Sequence, residues 1–137
     1  MRTLHLGLRV NDLERSLAFY TAVGYDVIGT VEGTAYGTLT MLQLPGDKFV
    51  TIELVYDPTS GLAGPGNGIN HLVIQVESLV ATRTDLAALG IEPEPIEYPG
   101  GTTGPQTCWI TDPDGYRIEL VQWPDGHADG ITRADFA

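Results

Sequence analysis

Two histidines and two glutamates in this chain have the types and the spacing to hold a cation: His5, Glu53, His71 and Glu119. Glu119 lies in Tyr116-Arg117-Ile118-Glu119-Leu120-Val121-Gln122, an alternating strand in which Ile118 and Leu120 share one face and Glu119 and Val121 the other. A carboxylate inside such an apolar strand is costly unless a cation meets it, and a metal ion is the usual one. Thr51-Ile52-Glu53-Leu54-Val55 repeats the alternation, and the two glutamates differ by 119 − 53 = 66 positions. The histidines keep the same interval, 71 − 5 = 66, and so do the helix-ending glycines, 90 − 24 = 66. One interval shared by three residue types in matching roles argues for a duplicated module. The alternative, in which each glutamate pairs with an arginine and each histidine with a backbone carbonyl, does not explain that shared interval. Mixed imidazole and carboxylate ligation suits Zn²⁺, Ni²⁺, Co²⁺ or Fe²⁺ better than Ca²⁺ or Mg²⁺.

The elements that must carry these residues read as follows. Leu4, Leu6, Leu8 and Val10 alternate with His5, Gly7 and Arg9, giving a strand with one aliphatic and one chemical face. Asn11 stands three residues before Glu14, a capping-box spacing, and Leu13, Leu17 and Tyr20 follow at helical intervals until Gly24. Strands are expected over 25–31, 36–44 and 48–56, which completes a first module at residues 1–57. Residues 58–68, with two prolines and four glycines, form a linker. The second module, 69–123, repeats the plan: a strand through Leu72, Ile74 and Val76, a helix capped by Ser78 and ended by Gly90, then strands over 91–97, 107–111 and 116–122. Residues 124–137 are poorly periodic and read as a tail in which His127 is solvated. The expected fold is therefore α+β, with two tandem βαβββ modules whose chemical faces converge around the four ligands.

Composition bounds the partners. The chain has 137 residues, 42% hydrophobic and 18% charged, enough for a globular core. A net charge of −11, with Lys48 as the one lysine, argues against nucleic acid or an anionic membrane as a partner. Cys108 is the single cysteine and reads as a small buried strand residue, which excludes an internal disulfide framework and suits a reducing compartment. No signal-peptide pattern opens the chain and no apolar run reaches membrane-spanning length, so a soluble cytoplasmic protein is expected.

Several motifs resemble the vicinal oxygen chelate superfamily, and within it the short glyoxalase I (lactoylglutathione lyase) type. They are His5-x-x-x-Arg9-Val10-x-Asp12-Leu13-x-Arg15-Ser16, Phe19-Tyr20-Thr21, Ile52-Glu53-Leu54-x-Tyr56, His71, Gly100-Gly101-Thr102-Thr103, and Asp112-Pro113-Asp114-Gly115-Tyr116-x-Ile118-Glu119-Leu120. The resemblance implies the glyoxalase/bleomycin resistance/dioxygenase fold, a cupped mixed sheet around a divalent metal, Zn²⁺ or Ni²⁺ with Co²⁺ as a further option, held by His5, Glu53, His71 and Glu119. It also implies isomerisation of a methylglyoxal–thiol hemithioacetal to a 2-hydroxyacyl thioester through an enediolate. Glu119 is the first choice for the base that moves the proton, with Glu53 as its counterpart.

Two positions depart from the glutathione-using members. Asp57 stands where they carry an asparagine, and Pro99 where they carry a lysine, so the resemblance implies a thiol other than glutathione or another enolisable substrate. Arg9, about 13 Å beyond His5 at roughly 3.3 Å per residue, can hold a distal substrate carboxylate or close a salt bridge within its module. Other members of the superfamily supply alternative functions: an epimerase, a ring-cleaving dioxygenase, or a non-catalytic protein that sequesters an antibiotic or other small molecule. Each module leaves an open sheet edge, and the resemblance to the glyoxalases implies a homodimer with sites at its interface.

Overall fold

The computed structural model describes residues Met1–Ala137 as two units: Met1–Ile69 with Asp112–Tyr116, and Asn70–Thr111 with Arg117–Ala137. No helix is long and apolar enough to cross a membrane.

In the first unit the strands are β1 (Leu6–Arg9), β2 (Asp26–Thr34), β3 (Gly37–Gln43) and β4 (Ile52–Tyr56), with helix α1 (Leu13–Val23) after β1. They form a mixed sheet in the order β1-β4-β3-β2, in which β1 runs parallel to β4 and the other pairs are antiparallel. Leu8, Val10, Tyr20, Leu42, Ile52 and Leu54 are buried and make the core. Leu6, expected on the aliphatic face, is 46% exposed instead. The hairpin from β2 to β3 is tight where Gly37 (φ 102°) passes the end of β4, since a Cβ there would collide with the Tyr56 carbonyl oxygen.

The start of α1 corrects the expected cap. Asp12, not Asn11, is the N-cap, its carboxylate accepting from the Arg15 N–H at 3.1 Å. Asn11 is instead drawn off by partners distant in sequence: its Nδ2 donates to Asp114 Oδ1 at 2.7 Å and to the Ala63 carbonyl at 2.9 Å. Asp114 also accepts from Ser16 Oγ, and the buried Tyr20 hydroxyl donates to Asp112 Oδ2 at 2.7 Å. The Asp-Pro-Asp-Gly turn is thus bound to α1 by a polar network, which accounts for its membership of the first unit. Burial raises the pKa of Asp112, and the hydrogen bond from Tyr20 and the amides of Tyr116 and Asp114 oppose that shift.

The second unit holds β5 (Leu72–Gln75), helix α2 (Leu79–Ala88), β6 (Gln106–Thr111) and β7 (Arg117–Gln122). Its sheet has the order β5-β7-β6, parallel between β5 and β7 and antiparallel between β6 and β7. Ser78 caps α2 as expected, accepting from the Ala81 N–H. The strand expected over 91–97 does not form. Pro93 and Pro95 carry no N–H, so toward β6 the segment makes the Glu94 N–H to Trp109 carbonyl bond and a single bridge between Glu97 and Thr107 and no ladder. Leu79, Leu86, Cys108, Ile110, Ile118 and Leu120 fill the core.

Registers of the two parallel pairs coincide at the repeat interval. Leu6 faces Ile52 as Leu72 faces Ile118, and Glu53 and Glu119 come next in each ladder. The tail is ordered rather than loose: it closes with a 3-10 turn over Arg133–Phe136, whose cap, Thr132, forms a reciprocal capping box with Asp135.

Candidate metal centre

Each parallel strand pair brings a histidine to a glutamate. In the first unit His5 Nε2 lies 2.9 Å from Glu53 Oε2, and in the second His71 Nε2 lies 3.2 Å from Glu119 Oε2. All four side chains are partly exposed, between 17% and 34%, so they face accessible space rather than the core. Each pair stands within its own unit, and no group of three or more His, Cys, Asp or Glu side chains in the chain is gathered closely enough to hold a metal ion.

The surroundings of the second pair suit a metal ligand. His71 Nδ1 meets Asn70 Oδ1 at 2.6 Å, which turns Nε2 toward the Glu119 carboxylate. An imidazole with one nitrogen held by an oxygen and the other directed at a carboxylate has the usual arrangement of a metal-bound histidine. The edge of the Trp109 ring packs on His71 with centroids 5.1 Å apart, and the Arg117 guanidinium lies 4.8 Å from the Trp109 centroid. Trp109 sits opposite Glu119 across the β6–β7 ladder, where the first unit has Met41 opposite Glu53. Sequence reasoning missed Asn70 and Trp109; an amide next to a candidate histidine was the available signal for the first.

A cavity of about 810 Å³ opens over this pair. His71, Glu119, Val73 and Val121 line it from the sheet, and Trp123, His127, Ile131 and Phe136 line it from the C-terminal segment. Gln75 ties that segment down: its Oε1 accepts from Trp123 Nε1 at 2.8 Å and from the Gly130 N–H at 3.0 Å, while its Nε2 donates to Asp129 at 2.7 Å. His127 stacks on Trp123 with ring centroids 4.4 Å apart. Its two nitrogens meet the Ala128 carbonyl and Asp135 Oδ1, which raises its pKa, the Ala128 carbonyl contributing most. The expectation of a solvated His127 is therefore corrected; the Thr132-x-x-Asp135 capping pattern was the legible sign that this tail folds.

Arg9 and Asp57 occupy comparable places in the first unit. Arg9 Nη2 donates to the Ser60 and Gly61 carbonyls, both at 3.1 Å. The Asp57 carboxylate is taken up by the hydroxyls of Ser60 and Thr59 and the Thr59 N–H, which lower its pKa. Pro99 lines the cavity of the second unit.

Comparison with known proteins places this arrangement. The model of the Glyoxalase/Bleomycin resistance protein/Dioxygenase superfamily matches residues 2–120. A Vibrio cholerae protein described as a probable lactoylglutathione lyase is 39% identical over 133 residues, covering 93% of this chain and 94% of that protein. The lactoylglutathione lyase of Salmonella typhimurium is 34% identical over 130 residues, 91% of this chain and 95% of that enzyme. Among solved structures, the trypanothione-dependent glyoxalase I of Leishmania major superposes with a TM-score of 0.69 at 29% identity, covering 89% of this chain and 86% of that one. With these relatives, the two mixed sheets and the paired histidines and glutamates, the chain is a lactoylglutathione lyase-like enzyme that belongs to the Glyoxalase/Bleomycin resistance protein/Dioxygenase superfamily.

Proposed function

We propose that the chain isomerises a methylglyoxal–thiol hemithioacetal to a 2-hydroxyacyl thioester, with His5, Glu53, His71 and Glu119 as the ligands of one divalent ion, Zn²⁺ or Ni²⁺, Co²⁺ also serving. The observation that carries this reading is the identical register of the two histidine–glutamate pairs, each on a parallel β-pair at the 66-residue interval. When bound, the ion supplies a positive charge that favours the substrate oxygens as negative charge develops on them.

The protein's own groups do the rest. A Glu119 oxygen takes the proton from the carbon bearing sulfur and hydroxyl and returns it to the neighbouring carbonyl carbon. The hydroxyl proton passes to the other oxygen, so the product is an isomer of the substrate and no redox partner is needed. Glu53 holds the equivalent place in the first unit and is the second candidate for this transfer. Asn70 keeps the His71 ring oriented throughout. Arg9 enters as the residue on the substrate side of the first unit, where it fixes the segment through Ser60 and Gly61.

In this reading the protein works as a homodimer, with ligand pairs from two copies completing each site. Exposed Val27, Ile28 and Val31 on β2 supply an apolar surface for a second copy. The buried, lone Cys108 agrees with a cytoplasmic setting. The test is an assay of purified protein, reconstituted with Ni²⁺, Co²⁺ or Zn²⁺, against hemithioacetals of several thiols. Thioester formation that Glu119→Gln abolishes is expected; full activity in that variant overturns the assignment of the base.

A further inference from the structure

We infer that the C-terminal segment from Trp123 onward selects the thiol, and that it takes one whose part remote from the sulfur is uncharged. The inference rests on the lyase reading, since it assumes that the reacting end of the substrate lies at His71 and Glu119. From those residues the cavity of about 810 Å³ extends to Trp123, His127, Ile131 and Phe136, room for much more than a three-carbon aldehyde.

That wall offers no free cation. No lysine or arginine lines the cavity, whereas Glu119 and Asp135 both do. His127, the remaining basic group of the wall, already spends both ring nitrogens on the Ala128 carbonyl and Asp135. A thiol bearing carboxylates would therefore give up their hydration here with no free lysine, arginine or histidine of this wall to meet them. Ile131 and Phe136, 69% and 82% exposed, instead present apolar surface at the rim, and the Trp123–His127 stack offers a flat platform for an amide or hydroxylated group. The wall is fixed before substrate arrives: Gln75 grips Trp123, Asp129 and Gly130, and Thr132 and Asp135 close the last turn. Such ordering lowers the entropic cost of binding.

The experiment compares kcat/KM for the methylglyoxal adducts of glutathione, which carries two carboxylates, and of N-acetylcysteamine, which carries no charge. The uncharged adduct is expected to be preferred at least about tenfold, and Ile131→Lys is expected to shift the ratio toward glutathione by about tenfold, through KM more than kcat. Equal or better use of the glutathione adduct by the unaltered protein overturns the inference. If neither adduct reacts, the lyase reading fails separately, and titration of tryptophan fluorescence with the S-hexyl derivatives of the same two thiols still reads the preference. Tighter binding of S-hexylglutathione then overturns it, and tighter binding of the uncharged derivative upholds it.

Discussion

The two units place a histidine beside a glutamate by one shared register, and then surround the pair differently. His71 has Asn70 to orient its ring and Trp109 against its face, whereas His5 is preceded by Leu4, which can orient nothing, and its glutamate faces Met41. The residue four positions after each histidine differs as well. Arg9 and Gln75 correspond at the repeat interval, and each holds the segment that follows the last strand of its own unit, Arg9 through two carbonyls and Gln75 through a carboxylate, an indole and an amide. At the start of that segment Asp57 corresponds to Trp123: one closes a short hydroxyl-capped turn, the other opens an aromatic wall. The strands that carry the histidine–glutamate pairs match at the repeat interval while the segments beside them differ, and in the proposed reading the second unit contributes the orienting amide and the aromatic wall.

Substitutions at matched positions break or sharpen this comparison. The largest effect is expected at the glutamates: Glu119→Gln should lower kcat by about 10³-fold, within the range for loss of a general base, and Glu53→Gln by about tenfold. Steady-state assays of both variants decide it, and equal losses would make the pair functionally symmetric. Next come the buried helix residues Tyr20 and Leu86, which also differ by 86 − 20 = 66. Leu86→Ala should cost about 2–5 kcal/mol by opening a cavity, and Tyr20→Phe about 1–3 kcal/mol by removing the donor to buried Asp112, both read from urea unfolding. The orienting amide ranks third: Asn70→Ala should weaken metal affinity by about 10-fold to 100-fold, and Leu4→Ala should leave it unchanged in a chelator competition.

The smallest effect is a pH response confined to the second unit. The raised pKa of His127 means that its hold on Asp135 is complete below the ordinary imidazole value of 6.5 and is lost as pH rises through the raised one. Asp135 has a lowered pKa, chiefly from the Thr132 N–H and then from His127, so its contribution is present above the ordinary 3.8 and is lost as pH falls through the lowered value. Amide exchange at Gly130, corrected for its intrinsic pH dependence, should accelerate at alkaline pH, and His127→Gln should remove that dependence. A first-unit amide such as Ala63, held by Asn11, should show no such acceleration.

Much of this was legible because it rests on local rules. Alternation places Glu53 and Glu119 on strand faces, and a common interval ties them to His5 and His71; the two helices and the strands that carry the glutamates form as expected, β4 only from Ile52 onward rather than from residue 48. The strand expected over 91–97 does not form for a reason equally visible in the chain, since Pro93 and Pro95 cannot join a ladder. The cap of α1 failed for a different reason. Asn11 and Asp12 are both good caps, and the choice was made by Asp114, more than one hundred residues away, which local pattern cannot see. The tail was misjudged because its order depends on Gln75 and Trp123 rather than on any periodicity of its own.

Central to the account is that the two histidine–glutamate pairs serve a single ion. Co²⁺ titration of chelator-stripped protein, followed by visible absorption, tests this most directly in the unaltered chain and in His5→Ala and His71→Ala. One tightly held Co²⁺ per chain, lost in both variants alike, is the predicted result. Retention of tight, stoichiometric Co²⁺ by either variant would contradict it.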